Sequence, residues 1–247
     1  MLYIRKDKPN NEIIEKIAEV KNMQEWKSAK DGDTQVLRFC FDQLPKDAIR
    51  QSLLDEQHYL CAYCMKRIEN DSMHTKIEHW NSISEKKTSM DYNNFLAVCT
   101  GGEKVNVSHD EDRILCCDSL KGERKLSINP LSQEHMDKVK YTKDGRIYTD
   151  NPIFNEDINN VLGLNGKLDK NGQLVCDTAT GLVKGRRDAY RKSEAVIKVL
   201  KKRNKYSSAN IQNRIRKFMN ADKRDEFVGT TVYFLKKEER RLLAQGK

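Results

Sequence analysis

The chain has 247 residues, 34% of them charged and 37% hydrophobic, with a formal net charge of +9. That length suits one large domain or a domain with an appendage, and its apolar residues fall in periodic groups, which excludes a disordered composition. No apolar run approaches the ~20 residues of a membrane span, and the start M-L-Y-I-R-K-D lacks a signal core, so a cytoplasmic chain with no membrane partner is expected.

Leu2–Ile4 reads as a short strand. Asn11 caps a helix through about Glu25, with Ile13, Ile14, Ile17, Ala18 and Val20 as its apolar stripe. After a loop at Lys30–Asp33, hinged on Gly32, two further helices are expected at about Gln35–Leu44 and Lys46–His58. They lead directly into the first cysteine pair. Residues 100–116 read as an inserted loop. Val139–Thr149 reads as a hairpin about the turn dipeptide Asp144-Gly145, and Asn165-Gly166 and Asn171-Gly172 mark further turns. From about Gly185 the pattern is helical, with a break near Gly229 before a last helix. The expected class is α+β, mostly helical. Two regions are expected, 1–183 with its motif core at 53–131, and a basic helical region at 184–247.

Charge divides the same way. Residues 1–183 hold 26 Lys/Arg against 30 Asp/Glu, a balance of −4, whereas residues 184–247 hold 20 against 7, a balance of +13. The basic segment carries Arg186, Arg187, Arg191, Lys201, Lys202, Arg203, Arg214, Arg216 and Lys217, a candidate phosphate-binding arm. The plain alternative is a set of solvated helices.

The densest chemistry runs from Cys61 to Gly122. It reads C-A-Y-C at Cys61–Cys64, I-E-H at Ile77–His79, Y-N-N-F-L-A-V-C at Tyr92–Cys99 and C-D-S-L-K-G at Cys117–Gly122. In a reducing compartment the seven cysteines are expected to be thiols or metal ligands. A Cys-x-x-Cys turn places two thiolates ~3.7 Å apart, one edge of a zinc tetrahedron with ~2.3 Å bonds. Cys61, Cys64, Cys99 and Cys117 are the candidate structural zinc ligands. The spacing from Cys99 to Cys117 is unusually long, so Cys116 is an alternative to Cys117, His109 is an outside candidate, and buried free thiols are the competing reading. Cys40 and Cys176 have no partners at ligand spacing and read as core residues.

Between the cysteines lie the components of phosphodiester hydrolysis. A neutral imidazole, His79, suits removal of a proton from water. Two carboxylates, Glu78 and Asp118, suit a hard cation such as Mg²⁺ or Mn²⁺ acting as a Lewis acid. Neighbours on a strand point to opposite faces, so Glu78 and His79 can share a site only where the strand ends or bends. Asn94 is placed to hold the following loop by its backbone, and Lys121 and Lys125 to meet phosphate.

This order of residues resembles the HNH nuclease family, whose ββα-metal motif is a two-strand hairpin followed by a helix. The resemblance implies His79 as general base, Asn94 as the central orienting residue, Glu78 and Asp118 on the catalytic metal, and zinc at the four cysteines stapling the hairpin to the helix. The sequence departs from the family pattern in having Glu78 where Asp is usual, no Pro after the histidine, Asp118 at a position commonly His or Asn, and the 100–116 insertion. Over roughly residues 1–200, L-L-D-E-Q-H-Y-L-C-A-Y-C, K-G-E-R-K-L-S-I-N-P-L and V-L-G-L-N are similar to the PtuB nuclease subunits of Septu-type anti-phage systems and of retron systems with Septu effectors. The resemblance implies a PtuA-like ATPase partner, and a retron reverse transcriptase–msDNA complex as a further one. The chain carries no G-x-x-x-x-G-K-[ST] phosphate loop, so nucleotide binding would fall to a partner. DNA is the favoured substrate, with RNA such as tRNA open. The competing classes are a non-catalytic zinc module binding nucleic acid, and a subunit that docks an acidic protein.

Overall fold

The computed structural model describes residues 1–106 and 113–245. The described chain is mixed α and β, a little under half helical, with three small two-stranded antiparallel sheets among the described residues. Four helices come first: α1 Asn11–Asn22, α2 Gln24–Ser28, α3 Thr34–Asp42 and α4 Lys46–Glu56. The Asn10 side chain accepts the Ile13 N–H and satisfies an orphan donor of the first turn. The helix then breaks at Met23, whose backbone is extended, so the single helix expected to Glu25 is two. α4 ends at Glu56 because His58 and Tyr59 both take positive φ and reverse the chain toward the first cysteine pair. The N-terminal strand does not form. Ile4 donates one backbone bond to Pro130 and no ladder follows.

The central hairpin pairs β1 Thr75–His79 with β2 Phe95–Cys99, in the register Thr75↔Cys99 to His79↔Phe95. β2 is buried throughout, and α4 packs on both strands. Its other backbone edge is also occupied. Gln57 makes a strand-like pair with Ala97, its Oε1 accepting the Ala97 N–H at 2.8 Å and its Nε2 donating to the Ala97 carbonyl at 2.7 Å, while Ala62 N–H reaches the same carbonyl at 3.1 Å. The short helix α5 Lys86–Ser89 and a 3₁₀ turn at Tyr92–Asn94 lie between the strands.

α6 Cys117–Lys121 packs on β2, and α7 Gln133–Asp137 follows. The expected hairpin at 139–149 is present as β3 Lys140–Tyr141 and β4 Ile147–Tyr148. α8 Pro152–Glu156, capped by Asn151, runs into a π turn at Asp157–Val161. β5 Lys167–Leu168 and β6 Leu174–Cys176 form an exposed hairpin, so Cys176 is a surface residue, unlike the buried Cys40. α9 Leu182–Lys202, α10 Ser208–Met219 and α11 Val228–Ala244 pack together. Gly229 is not a break. It lies in the first turn of α11, where a Cβ would stand 2.7 Å from Met65 Sδ, and the break falls just before it at Phe227, φ +55°. No helix among the described residues is long and apolar enough to cross a membrane.

Candidate active site and metal centre

The Sγ atoms of Cys61, Cys64, Cys99 and Cys117 all lie within 4.8 Å of one another, and all four residues are buried. Cys64 and Cys99 are 3.6 Å apart and Cys61 and Cys117 3.9 Å, against ~3.7 Å for the edge of a tetrahedron with 2.3 Å zinc–sulfur bonds. The first pair is set by a tight turn. Met65 donates to the Cys61 carbonyl, Met65 has φ +65°, and the Lys66 N–H points at Cys64 Sγ at 3.5 Å. Cys99 is the last residue of β2 and Cys117 the first of α6.

The long spacing between those two is closed at its neck. Cys116 N–H donates to the Gly101 carbonyl at 2.9 Å, and Ser119 Oγ to the Thr100 carbonyl at 2.9 Å. Gly101 takes φ +57°, and a Cβ there would sit 2.1 Å from the Cys116 carbonyl oxygen, so only glycine admits this approach. Cys116 is buried beside the cluster but directs its thiol to the Gly101 carbonyl at 3.6 Å. His109 lies outside the described residues. Burial pushes the Cys64 thiol up, while hydrogen bonds from neighbouring thiols, Cys116 first, hold Cys99 down. Four buried thiols cannot all ionise without a countercharge, and a divalent soft cation is the group this donor set fits.

β1 ends at His79, and this brings Glu78 and His79 to one open cleft of ≈ 610 Å³ that Asp118 and Lys121 also line. His79 is 8% exposed, held edge-on by Phe41 and Phe95 at 4.5 and 4.9 Å between ring centroids. Its Nε2 lies 3.0 Å from the Ser89 carbonyl. A carbonyl only accepts, so Nε2 carries the proton and Nδ1 keeps its lone pair. Desolvation pushes the imidazole pKa down to about 4, which keeps it neutral near pH 7.

Asn94 does not line the cleft. Its Oδ1 accepts the Asn81 N–H at 2.8 Å, and its Nδ2 donates to the carbonyls of Asn81 at 3.0 Å and Thr88 at 3.1 Å. It ties the segment after β1 to α5, and α5 supplies the Ser89 carbonyl that holds His79.

Glu78 is 7% exposed and accepts from Lys121 Nζ at 2.7 Å and from the buried Tyr63 hydroxyl at 3.3 Å. Burial, then the neighbouring Asp118 carboxylate, push its pKa up to about 8, although Lys121 pulls the other way. A buried carboxyl whose pKa is raised by a second carboxylate suits a cation shared with it. Asp118 meets Lys76 Nζ at 3.4 Å, and Lys76 also pairs with Glu103 at 2.8 Å.

The expected phosphate contacts divide. Lys121 is 3% exposed and engaged with Glu78 inside the cleft, while Lys125 is exposed and paired with Glu85. Arg186 is a correction. It is 1% exposed, with Nε donating to the Gly145 carbonyl and Nη2 to the Leu164 carbonyl and Asn165 Oδ1, so it is a core cation that no phosphate reaches. Arg187, Arg191, Lys201, Lys202, Arg203, Arg216 and Lys217 are exposed and Arg214 is half-buried. Tyr63, Lys76 and Ser89 escaped the sequence reading. The one sequence signal for Tyr63 is its place between two cysteines, and Ser89 acts through its backbone, which leaves no residue signature.

No protein-family model matches the chain. The chain is 34% identical over 89 residues to a candidate HNH endonuclease of retron Ec83 from Escherichia coli. That similarity supports an HNH nuclease family. It covers 33% of this chain and 34% of the relative, so the matched segment spans about a third of each.

Proposed function

We propose that the chain is a metal-dependent HNH endonuclease that hydrolyses phosphodiester bonds of nucleic acid, DNA in the first instance, with RNA such as tRNA as the other substrate to test. One observation carries this reading. A buried histidine with Nε2 fixed on a backbone carbonyl opens on the same cleft as Glu78 and Asp118, at the end of a hairpin beside four clustered cysteines. The retron relative, named as a candidate HNH endonuclease, supports it independently.

In this reading the hairpin β1–β2 and α6 form the ββα-metal core, and Cys61, Cys64, Cys99 and Cys117 hold structural zinc. Glu78 and Asp118 hold Mg²⁺ or Mn²⁺, which when bound supplies Lewis-acid stabilisation of the phosphoryl and leaving oxygens. His79 Nδ1 takes the proton of the attacking water, and Phe41 and Phe95 keep the ring dry and aligned. Lys121 and Lys76 hold the two carboxylates in place before substrate arrives. In-line attack by water leaves 5′-phosphate and 3′-hydroxyl ends. The resemblance to Septu-type nuclease subunits carries the further reading of an effector in an anti-phage complex with a PtuA-like ATPase, and the retron relative fits a setting with a retron reverse transcriptase–msDNA complex.

The test is a cleavage assay on duplex DNA, single-stranded DNA and tRNA with Mg²⁺ or Mn²⁺, with and without the ATPase. His79→Ala loses activity by 10²–10⁴-fold, the usual general-base range, with zinc content unchanged. Asp118→Ala also loses activity, and excess Mn²⁺ restores part of it. If Mn²⁺ instead rescues His79→Ala, the roles are reversed, and if both variants cut normally the site lies elsewhere.

A further inference from the structure

The cleft is lined by five cations, Arg38, Lys46, Arg50, Lys76 and Lys121, and by four carboxylates, Glu78, Glu103, Asp118 and Glu123. The three lysines are already engaged. Lys121 holds Glu78, Lys76 holds Glu103 and Asp118, and Lys46 binds Asp42 and the Phe41 carbonyl. The two arginines differ. Arg38 is exposed, with no hydrogen bond or ion pair among the described residues. Arg50 is 7% exposed and gives one Nη1 bond to Asp47, while its Nε is buried without a partner. A buried donor left unpaired is costly and rare, and it calls for an acceptor that arrives from outside.

Both arginines come from the N-terminal helices, and neither belongs to the motif. Arg38 is three residues before Phe41 on α3, hence on the same face, and Phe41 packs against the His79 ring. Arg38, Lys46 and His79 line the same cleft. The cationic wall therefore borders the candidate general base.

We propose that Arg38 and Arg50 form a backbone clamp that binds a substrate phosphate next to the scissile one, so that α3 and α4 complete the nuclease cleft. The occupant is the phosphodiester chain of a nucleic acid. A planar guanidinium offers paired donors that match two phosphate oxygens, and with the lysines committed to carboxylates and Arg50 Nη1 to Asp47, the Arg38 fork and Arg50 Nε are the donors left over. The clamp rests on the nuclease reading above, and both arginines are positioning residues.

The experiment measures binding of a fluorescein-labelled DNA duplex to the full chain across a salt series without added divalent cation, and KM and kcat for its cleavage with Mn²⁺. Arg38→Gln lies at an exposed position and spares the fold. Arg50→Gln is judged beside Arg50→Lys, which keeps the charge but not the fork, with a thermal melt on each. Each Gln variant reduces the slope of log affinity against log salt by about 0.9, one phosphate contact on a duplex. Each raises KM on the order of tenfold with kcat little changed. Arg50→Lys keeps the slope and still raises KM. Unchanged slope and KM in folded Arg38→Gln and Arg50→Gln, with His79→Ala inactive, overturn the clamp and leave the nuclease standing. A wild-type chain that shows no salt-dependent affinity for the duplex or for labelled tRNA, and cleaves neither, overturns both.

Discussion

Adjacent cysteines at the start of α6 give a sharp test of the metal centre. Cys117 places its sulfur 3.9 Å from Cys61, inside the cluster, whereas Cys116 donates to the Gly101 carbonyl at 3.6 Å. Apparent zinc contributions of about 10–16 kcal/mol equal or exceed the 5–15 kcal/mol stability of a typical domain. Cys117→Ser should therefore lose most of the zinc and the cooperative melt together. Cys116→Ser replaces a weak S–H donor by a hydroxyl in the same buried pocket. Its cost is one hydrogen bond, about 1 kcal/mol, or roughly 2–4 °C in a chain of this size. Elemental analysis of the purified variants, paired with calorimetry, reads both quantities. Wild type and Cys116→Ser should each carry about one zinc per chain. If Cys116→Ser loses the metal while Cys117→Ser keeps it, the assignment of the fourth ligand is wrong. A metal-free wild type that is fully folded would show that the four thiols are only a buried cluster.

Arg186→Met should cost about 3 kcal/mol in a urea titration, because it strips donors from the Gly145 and Leu164 carbonyls, and it should leave the salt slope of DNA binding unchanged. Replacing exposed Arg191, Lys201, Lys202, Arg203, Arg216 and Lys217 with Gln should flatten that slope by about 0.9 per lost contact, and an unchanged slope would assign this face to a protein partner or to solubility. Deleting residues 184–247 is a poor substitute, since it removes Arg186 and the buried Leu235 and Leu242. Glu238 is held by Arg241 at 2.9 Å and by the Tyr206 hydroxyl, and its pKa is pushed down to about 2, chiefly by Arg241. Arg241 is solvent-exposed, so Glu238→Gln should cost only about 1 kcal/mol at pH 7. A depressed carboxyl stabilises above its unfolded pKa, so the difference from wild type should shrink as pH falls from about 4.5 toward 2, and a gap that persists at pH 2 would refute it.

What the sequence disclosed follows the range of each interaction. Cys61 and Cys64 share one turn, so their spacing alone brings them together. Helix periodicity located α3 and α4 to within a few residues and marked the region of α9 to α11 as helical, because burial of one face repeats locally, but it did not show the break between α9 and α10. Interactions that depend on distant chain were hidden. Arg186 sits in a segment of net positive charge, and nothing nearby in sequence shows that the turn at Gly145 and the loop at Leu164 close over it. The same holds for Cys176, read as core and found on an exposed hairpin. Arg38 and Arg50 carry no motif, and only the fold shows that they line one cleft with residues of β1. The break at Met23 and the positive φ at His58 and Tyr59 have no glycine to announce them.

The amide of Gln57 has a consequence for the life of the protein in solution. A lone hairpin whose strand Phe95–Cys99 is apolar throughout is the kind of segment that recruits a strand from another molecule. Here the outer edge at Ala97 is occupied at both its N–H and its carbonyl by one side chain and by the Ala62 N–H. A single glutamine thus imitates a third strand one residue long, closing the hairpin to growth in that direction. The two-stranded sheet can then remain small enough for a helix to pack on it, without becoming a template for assembly.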